Sequence, residues 1–212
     1  MTCFCSHVQR FDSKIDFVIL IHPIEMRRRI ATGRMSHLCL ANSYILRGHD
    51  YTHHETVNEL LADGERHCVL LYPGAQSLNL TTLDSLERKQ RFSGLGKRLT
   101  IFVVDGTWET AKKMVKHSRN LHHLPRICFT PERPSNFRIR KQPRPGCVST
   151  IEAIHQTIEL LGPSQGYDTD SRVHDRLLYV FDKMVETQLS YIEEARRRTG
   201  PSRYHSARSP RA

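Results

Sequence analysis

The chain reads as an α/β protein with a mostly parallel sheet flanked by helices. Three observations carry that reading. Continuous apolar runs of strand length, Asp16 to Ile21 (DFVILI), Cys68 to Tyr72 and Leu99 to Val104, have the composition of strands covered on both faces. Helical periodicities alternate with these runs along the chain. The run from Leu99 then passes directly into Asp105, Gly106 and a helix start, the kind of strand end at which open α/β sheets place ligands.

Taken in order, residues 1–14 form a short segment with Cys3-x-Cys5 and His7. Thiolates and imidazole at short spacing are zinc donors, but a structural site takes four, and no Cys-x-x-Cys follows. Residues 15–198 make the single domain. After the first strand, His22-Pro23 stops the run, and Thr32-Gly33-Arg34 makes a loop whose threonine is expected to cap a helix through Met35, Leu38 and Ala41. Glu55 to Ala62 is helical, with Val57, Leu60 and Leu61 on one side; the Cys68 strand closes at Pro73-Gly74. Leu124 to Phe129 is a further short strand. The proline- and arginine-rich segment from Thr130 to Gly146 is a long loop, and such loops in compact domains are often functional. Val148 to Leu161 is an amphipathic helix opened by Ser149, Thr150 and Glu152, and a last helix runs from about His174 to Arg198. Residues 199–212, rich in Pro, Ser, Gly and Arg, are expected to be a disordered basic tail.

At the central turn, Thr107 is placed to cap the helix and Glu109 suits its positive first turn. Trp108 shares a helix face with Ala111 and Val115, so pattern alone leaves it either core or site lining. Asp105 is likewise either a turn residue or an acid at a ligand site.

Composition narrows the partner. The 212 residues carry 32 Lys+Arg against 22 Asp+Glu, a formal net charge of +10, which favours a polyanion. The excess gathers at Arg27 to Arg29, at Arg138 to Arg144 and in the tail, where a plain solvated surface is the competing reading. No apolar run approaches a membrane span, and MTCFCSHVQRFDSK has no apolar core of a signal peptide, so the expected compartment is cytoplasmic. The six cysteines are then thiols or metal ligands. No signal of a protein interface is present.

The ordered motifs resemble the DTW-domain family, the tRNA-uridine aminocarboxypropyltransferases. They are Cys3-Phe4-Cys5, His22-Pro23-Ile24-Glu25, Thr32-Gly33-Arg34, Leu71-Tyr72-Pro73-Gly74, Asp105-Gly106-Thr107-Trp108, Leu124-Pro125-Arg126, Phe137-Arg138-Ile139-Arg140 and Ser149-Thr150-Ile151-Glu152-Ala153. A single such motif is weak; the series in order is specific. The resemblance implies a SPOUT-like fold with a C-terminal trefoil knot whose loops hold S-adenosylmethionine. By the family pattern, Tyr72, Pro73, Gly74, Asp105, Gly106, Leu124, Pro125, Ser149, Thr150 and Glu152 bind that cofactor. Asp105, Thr107 and Trp108 are the expected catalytic group. Glu25 and Arg34 are expected to position substrate, while Arg138, Arg140, Lys141 and Arg144 follow tRNA phosphates. The family pattern also has a Cys-x-x-Cys knuckle ahead of Cys3 and Cys5, which these residues do not include, so the zinc site they suggest is incomplete.

The implied reaction moves the 3-amino-3-carboxypropyl group of S-adenosylmethionine to N3 of a tRNA uridine. A SPOUT-type RNA methyltransferase shares its pocket and charge, and the residues alone do not separate the two. A non-catalytic RNA-binding protein would explain the basic loops but not an acid-bearing turn at a strand end.

Overall fold

The computed structural model describes residues 3–93, 96–140 and 146–199; Lys141, Arg144 and the tail from residue 200 lie outside the described residues. The chain runs β1 (Asp16–Ile21), α1 (Pro23–Met26), α2 (Thr32–Cys39), β2 (Ser43–Arg47), α3 (Glu55–Ala62), β3 (Arg66–Leu71) and β4 (Leu78–Asn79). It continues through α4 (Ser85–Phe92), β5 (Arg98–Asp105), α5 (Trp108–His117), β6 (Arg126–Cys128), α6 (Thr150–Leu161) and α7 (Arg176–Thr199). The strands form a six-stranded sheet in the order β2-β1-β5-β3-β6-β4, and every pairing is parallel.

Parallel strands need helical crossovers, so both faces of the sheet become buried. That is why β1, β3 and β5 are continuous apolar runs. Alternate residues divide between the faces. Phe17, Ile19, Val69, Ile101 and Val103 pack against α2, α6 and α7 through Met35, Ile154, Ile158 and Phe181. Val18, Leu20, Leu70 and Phe102 meet α3 and α5 through Val57, Leu60, Met114 and Val115. Each such side chain contributes about 1.5–3 kcal/mol when fully buried. A one-residue slip of β5 would exchange the two sets, so its register is firmly specified.

Register also places the end of the sheet. Ile21 pairs with Asp105 and Leu71 with Val103, so the C-terminal ends of β1, β3 and β5 lie together. The His22 N–H donates to the Asp105 carbonyl at 2.9 Å, tying the first residue after β1 to the last residue of β5.

Several elements differ from the sequence reading. β2, β4, α1 and α4 were not anticipated. β2 is a half-buried edge strand without a strong apolar run, and α4 is a polar helix that buries Phe92. Its start is set by chemistry instead: Asp84 accepts from the Glu87 N–H, and Glu87 reaches back to the Asp84 N–H. Thr32 is the first residue of α2 rather than its cap; Ala31 holds the capping position with no side-chain hydrogen bond. Among the described residues no helix is long and apolar enough to cross a membrane.

Candidate active site

The loops that leave β3, β5 and β6 converge with the start of α6 on one pocket at the C-terminal edge of the sheet. Leu71, Tyr72 and Pro73 come from the first loop; Asp105, Gly106 and Trp108 from the second. Cys128 and Phe129 follow β6, and Val148, Ser149 and Thr150 open α6. Parallel strands make this convergence natural, because every strand delivers its C-terminal end to the same side.

Asp105 is the acid of this pocket. Its side chain is buried, and Oδ1 accepts a 2.6 Å hydrogen bond from the Thr150 hydroxyl. Oδ2 has no hydrogen-bond partner among the described residues. Burial pushes the Asp105 carboxyl up to about 6. The Thr150 hydroxyl opposes that, the negative charge of Glu25 adds to it, and Arg140 opposes it again. The Gly33 backbone N–H also pulls the value down, although it does not meet hydrogen-bond geometry with Oδ2. A Cβ on Gly33 would lie 2.4 Å from Asp105 Oδ2, so only glycine lets α2 come this close. Gly106 is needed for a similar reason: a Cβ there would lie 2.6 Å from Thr110 Oγ1.

Thr107 caps α5, accepting from the Thr110 N–H at 3.1 Å, as expected; it does not line the pocket, so its place is structural. Trp108, the first residue of α5, is 36% exposed and lines the pocket, which decides between the two readings of it. A core tryptophan would not leave a third of its surface in solvent.

Other expected site residues divide. Tyr72, Pro73, Gly106, Ser149 and Thr150 line the pocket with Asp105. Gly74, Leu124, Pro125 and Glu152 do not. Leu124 and Pro125 precede β6, at the end of that strand away from the pocket, and the Pro125 carbonyl accepts from the Leu70 N–H. Cys128 and Phe129, at the other end, take the place expected of them. Glu152 is a fastener: it accepts from the Ser149 N–H and hydroxyl, from the Ser135 hydroxyl and from the Asn136 N–H. Those bonds hold the arginine-rich loop against α6.

Glu25 is buried and ion-paired, 3.1 Å from Arg28 and 3.6 Å from Arg140. Arg140 lines the pocket, whereas Arg34 and Arg138 are exposed and do not. Sequence reasoning missed the apolar walls from Leu71, Val103, Ala111, Val148 and Ala153, because apolar residues at helix and strand spacing carry no mark of which end of an element they line.

The metal question resolves into two places. Cys3 and Cys5 are exposed thiols, and His7 turns toward α7, where its ring packs edge-on against Tyr179 with centroids 5.8 Å apart. A second group, His155, Glu159, His174 and Asp175, has ligand atoms within 4.8 Å of one another. Arg172 hydrogen-bonds both carboxylates, so the group already holds a cation of its own.

Residues 1–189 match the DTW domain. The chain belongs to the DTW-domain family. Among curated relatives, this DTW-domain chain is 28% identical over 167 residues to tRNA-uridine aminocarboxypropyltransferase 2 of Drosophila melanogaster, covering 76% of this chain and 62% of that one. It is 26% identical over 217 residues to tRNA-uridine aminocarboxypropyltransferase A of Arabidopsis thaliana, covering 90% and 78%. The mouse protein tRNA-uridine aminocarboxypropyltransferase 2 is 24% identical over 201 residues, covering 92% and 62%. The DTW-domain chain thus spans less than two thirds of the fly and mouse relatives. No solved structure matches it.

Proposed function

We propose that this chain is an S-adenosylmethionine-dependent tRNA-uridine aminocarboxypropyltransferase, acting at N3 of uridine. The observation that carries the reading is Asp105: a buried acid with one unpartnered oxygen, at a strand end beside a half-exposed tryptophan. The names of the relatives supply the reaction, and the pocket supplies a fit. Apolar walls suit a nucleoside and a thioether chain, and a buried unpaired carboxylate oxygen complements a sulfonium charge.

When bound, the sulfonium supplies an electrophilic γ-carbon and methylthioadenosine as its leaving group. The residues of the chain do the positioning. Trp108 offers a face on which uracil or adenine stacks. Leu71, Val103 and Ala111 exclude water from the reacting atoms. As the uridine N3–C bond forms and the C–S bond breaks, the N3 proton must leave. An ordinary carboxylate is a weak base for an imide, so Asp105 acts first by orienting the N3–H; it takes up that proton as the N3–C bond forms and releases it when the products leave. Thr150 holds Oδ1, while Oδ2 lies buried against Gly33.

Exposed Arg34 and Arg138 flank pocket residues in sequence and supply charge for tRNA phosphates; Lys141 and Arg144 extend the same basic segment in sequence. The SPOUT-like fold with its C-terminal knot is part of this proposal and is supported by the order of the family motifs along the chain. A cytoplasmic location is part of the same proposal. Zinc at Cys3 and Cys5 remains a proposal that needs further donors.

The test is to incubate the protein with unmodified tRNA and S-adenosylmethionine labelled in either its methyl or its carboxyl group. Carboxyl label in the RNA, with methyl label absent, is the expected result. Methyl label alone would make the chain a methyltransferase and overturn the assignment.

A further inference from the structure

The pocket described above has an asymmetric charge. Among its described lining residues Arg140 is the cation and Asp105 the acid; the remainder are apolar or neutral. A group that brings a carboxylate into such a pocket must find a cation there, because an unpaired buried carboxylate is costly.

Arg140 is built for this rather than for RNA. Its side chain is 33% exposed, where a phosphate-tracking arginine such as Arg138 stands in solvent. Its backbone N–H donates to the Phe137 carbonyl at 3.0 Å, and Phe137 is itself buried against Phe181. That anchors the arginine at the end of a loop already fastened by Glu152. The guanidinium stands 3.6 Å from Glu25 Oε1, and among the described residues it makes no hydrogen bond. Glu25 has a closer partner in Arg28, at 3.1 Å. The pairing with Glu25 therefore aims Arg140, which lines the pocket and whose guanidinium has no hydrogen-bond partner among the described residues.

We propose that Arg140 is the residue that recognises the carboxylate of the transferred aminocarboxypropyl group, with Glu25 as its positioning residue. This rests on the function proposed above. A guanidinium fork matches a carboxylate in a bidentate way and fixes orientation as well as charge. Holding that carboxylate restricts the chain that ends at the sulfonium, and so presents the γ-carbon rather than the methyl group to the uridine. Arg140 thereby becomes a specificity determinant for which carbon is attacked, and not one of the phosphate contacts expected from sequence.

The experiment is calorimetric binding to the full chain of S-adenosylmethionine, decarboxylated S-adenosylmethionine and 5′-methylthioadenosine. The wild-type chain is expected to prefer S-adenosylmethionine over its decarboxylated form by about 10- to 100-fold, the range of a hydrogen-bonded charge pair. Arg140→Met should remove that preference and leave methylthioadenosine binding unchanged. Glu25 keeps Arg28 in this variant, so the fold is expected to hold. Arg140→Gln, which keeps hydrogen-bonding capacity without the charge, gives an independent second reading with the same expected fall. A preference that persists in either variant overturns the role of Arg140. A wild-type chain that binds none of the three ligands overturns the proposed function, and this inference with it.

Discussion

Two buried aspartates sit on the neighbouring strands β1 and β5, one at each end of the sheet, and the chain treats them in opposite ways. Asp16, opposite Thr100 at the start of β1, lies 2.6 Å from Arg66 and 3.0 Å from Arg98. Asp105, opposite Ile21 at the end of β5, keeps one oxygen bonded to Thr150 and the other unpartnered. A carboxylate that only supports the fold is matched by guanidinium groups. One left short of partners in a pocket raises the energy of its own charge, and that cost makes sense where a ligand completes the site.

The largest effect should come from breaking the unmatched acid. Asp105→Ala is expected to lower transfer by about 100- to 10,000-fold while tRNA affinity, measured by filter binding, stays near wild type. A folded variant with full activity would make Asp105 merely a turn residue. Breaking the matched acid should show in stability instead. Asp16→Ala leaves the mostly buried Arg66 without its closest partner and should cost about 3–5 kcal/mol in urea unfolding, the range for breaking a buried pair.

Gly33→Ala sharpens the contrast further. It presses a methyl group on the Asp105 carboxyl, and a displacement of about 1 Å should cost about 100-fold in turnover, together with about 1–3 kcal/mol of stability from overpacking. Next comes a pH test. The Asp105 carboxyl has an ordinary value of 3.8 and is held at about 6 in the folded chain, so folding takes up protons between those values. Stability contributed by this group is complete below the lower value and declines as pH rises to the upper one. Asp105→Asn removes the decline; relative to wild type it should gain up to about 3 kcal/mol between acid and neutral pH, at about 1.4 kcal/mol per pH unit. The same ionisation should make wild-type transfer rise with pH through the upper value. Smallest is Arg138→Ala, expected to weaken tRNA binding evenly across sequences and reduce its salt slope by about one. An unchanged slope would remove Arg138 from the proposed RNA surface.

Much of this was legible along the chain. The buried runs at Asp16, Cys68 and Leu99 read as strands because two-sided burial leaves no polar alternation. Thr107 and the Ser149–Glu152 start read as helix beginnings because capping is chemistry within a few residues. Other features gave little signal. β2 lies at an edge, so SYILR did not need to be uniformly apolar. Leu124 and Pro125 carry a motif, but strand polarity puts the pocket at the other end of β6, where Cys128 and Phe129 stand. Glu152 sits in the same motif as Thr150, yet its oxygens are used in pinning the loop.

By itself the sequence determined the alternation of strands and helices, the basic surface, the family motifs and the acid at the end of β5, since each rests on neighbours in the chain. Only the tertiary structure decided which of two buried acids is ion-paired with arginines, and that Thr150 holds Asp105 across 45 positions. It also decided that Gly33 presses on the carboxyl and that Arg140 turns into the pocket while Arg138 does not. The physical reason is that burial and charge pairing depend on distances in space, which the parallel sheet sets by bringing remote strand ends to one edge.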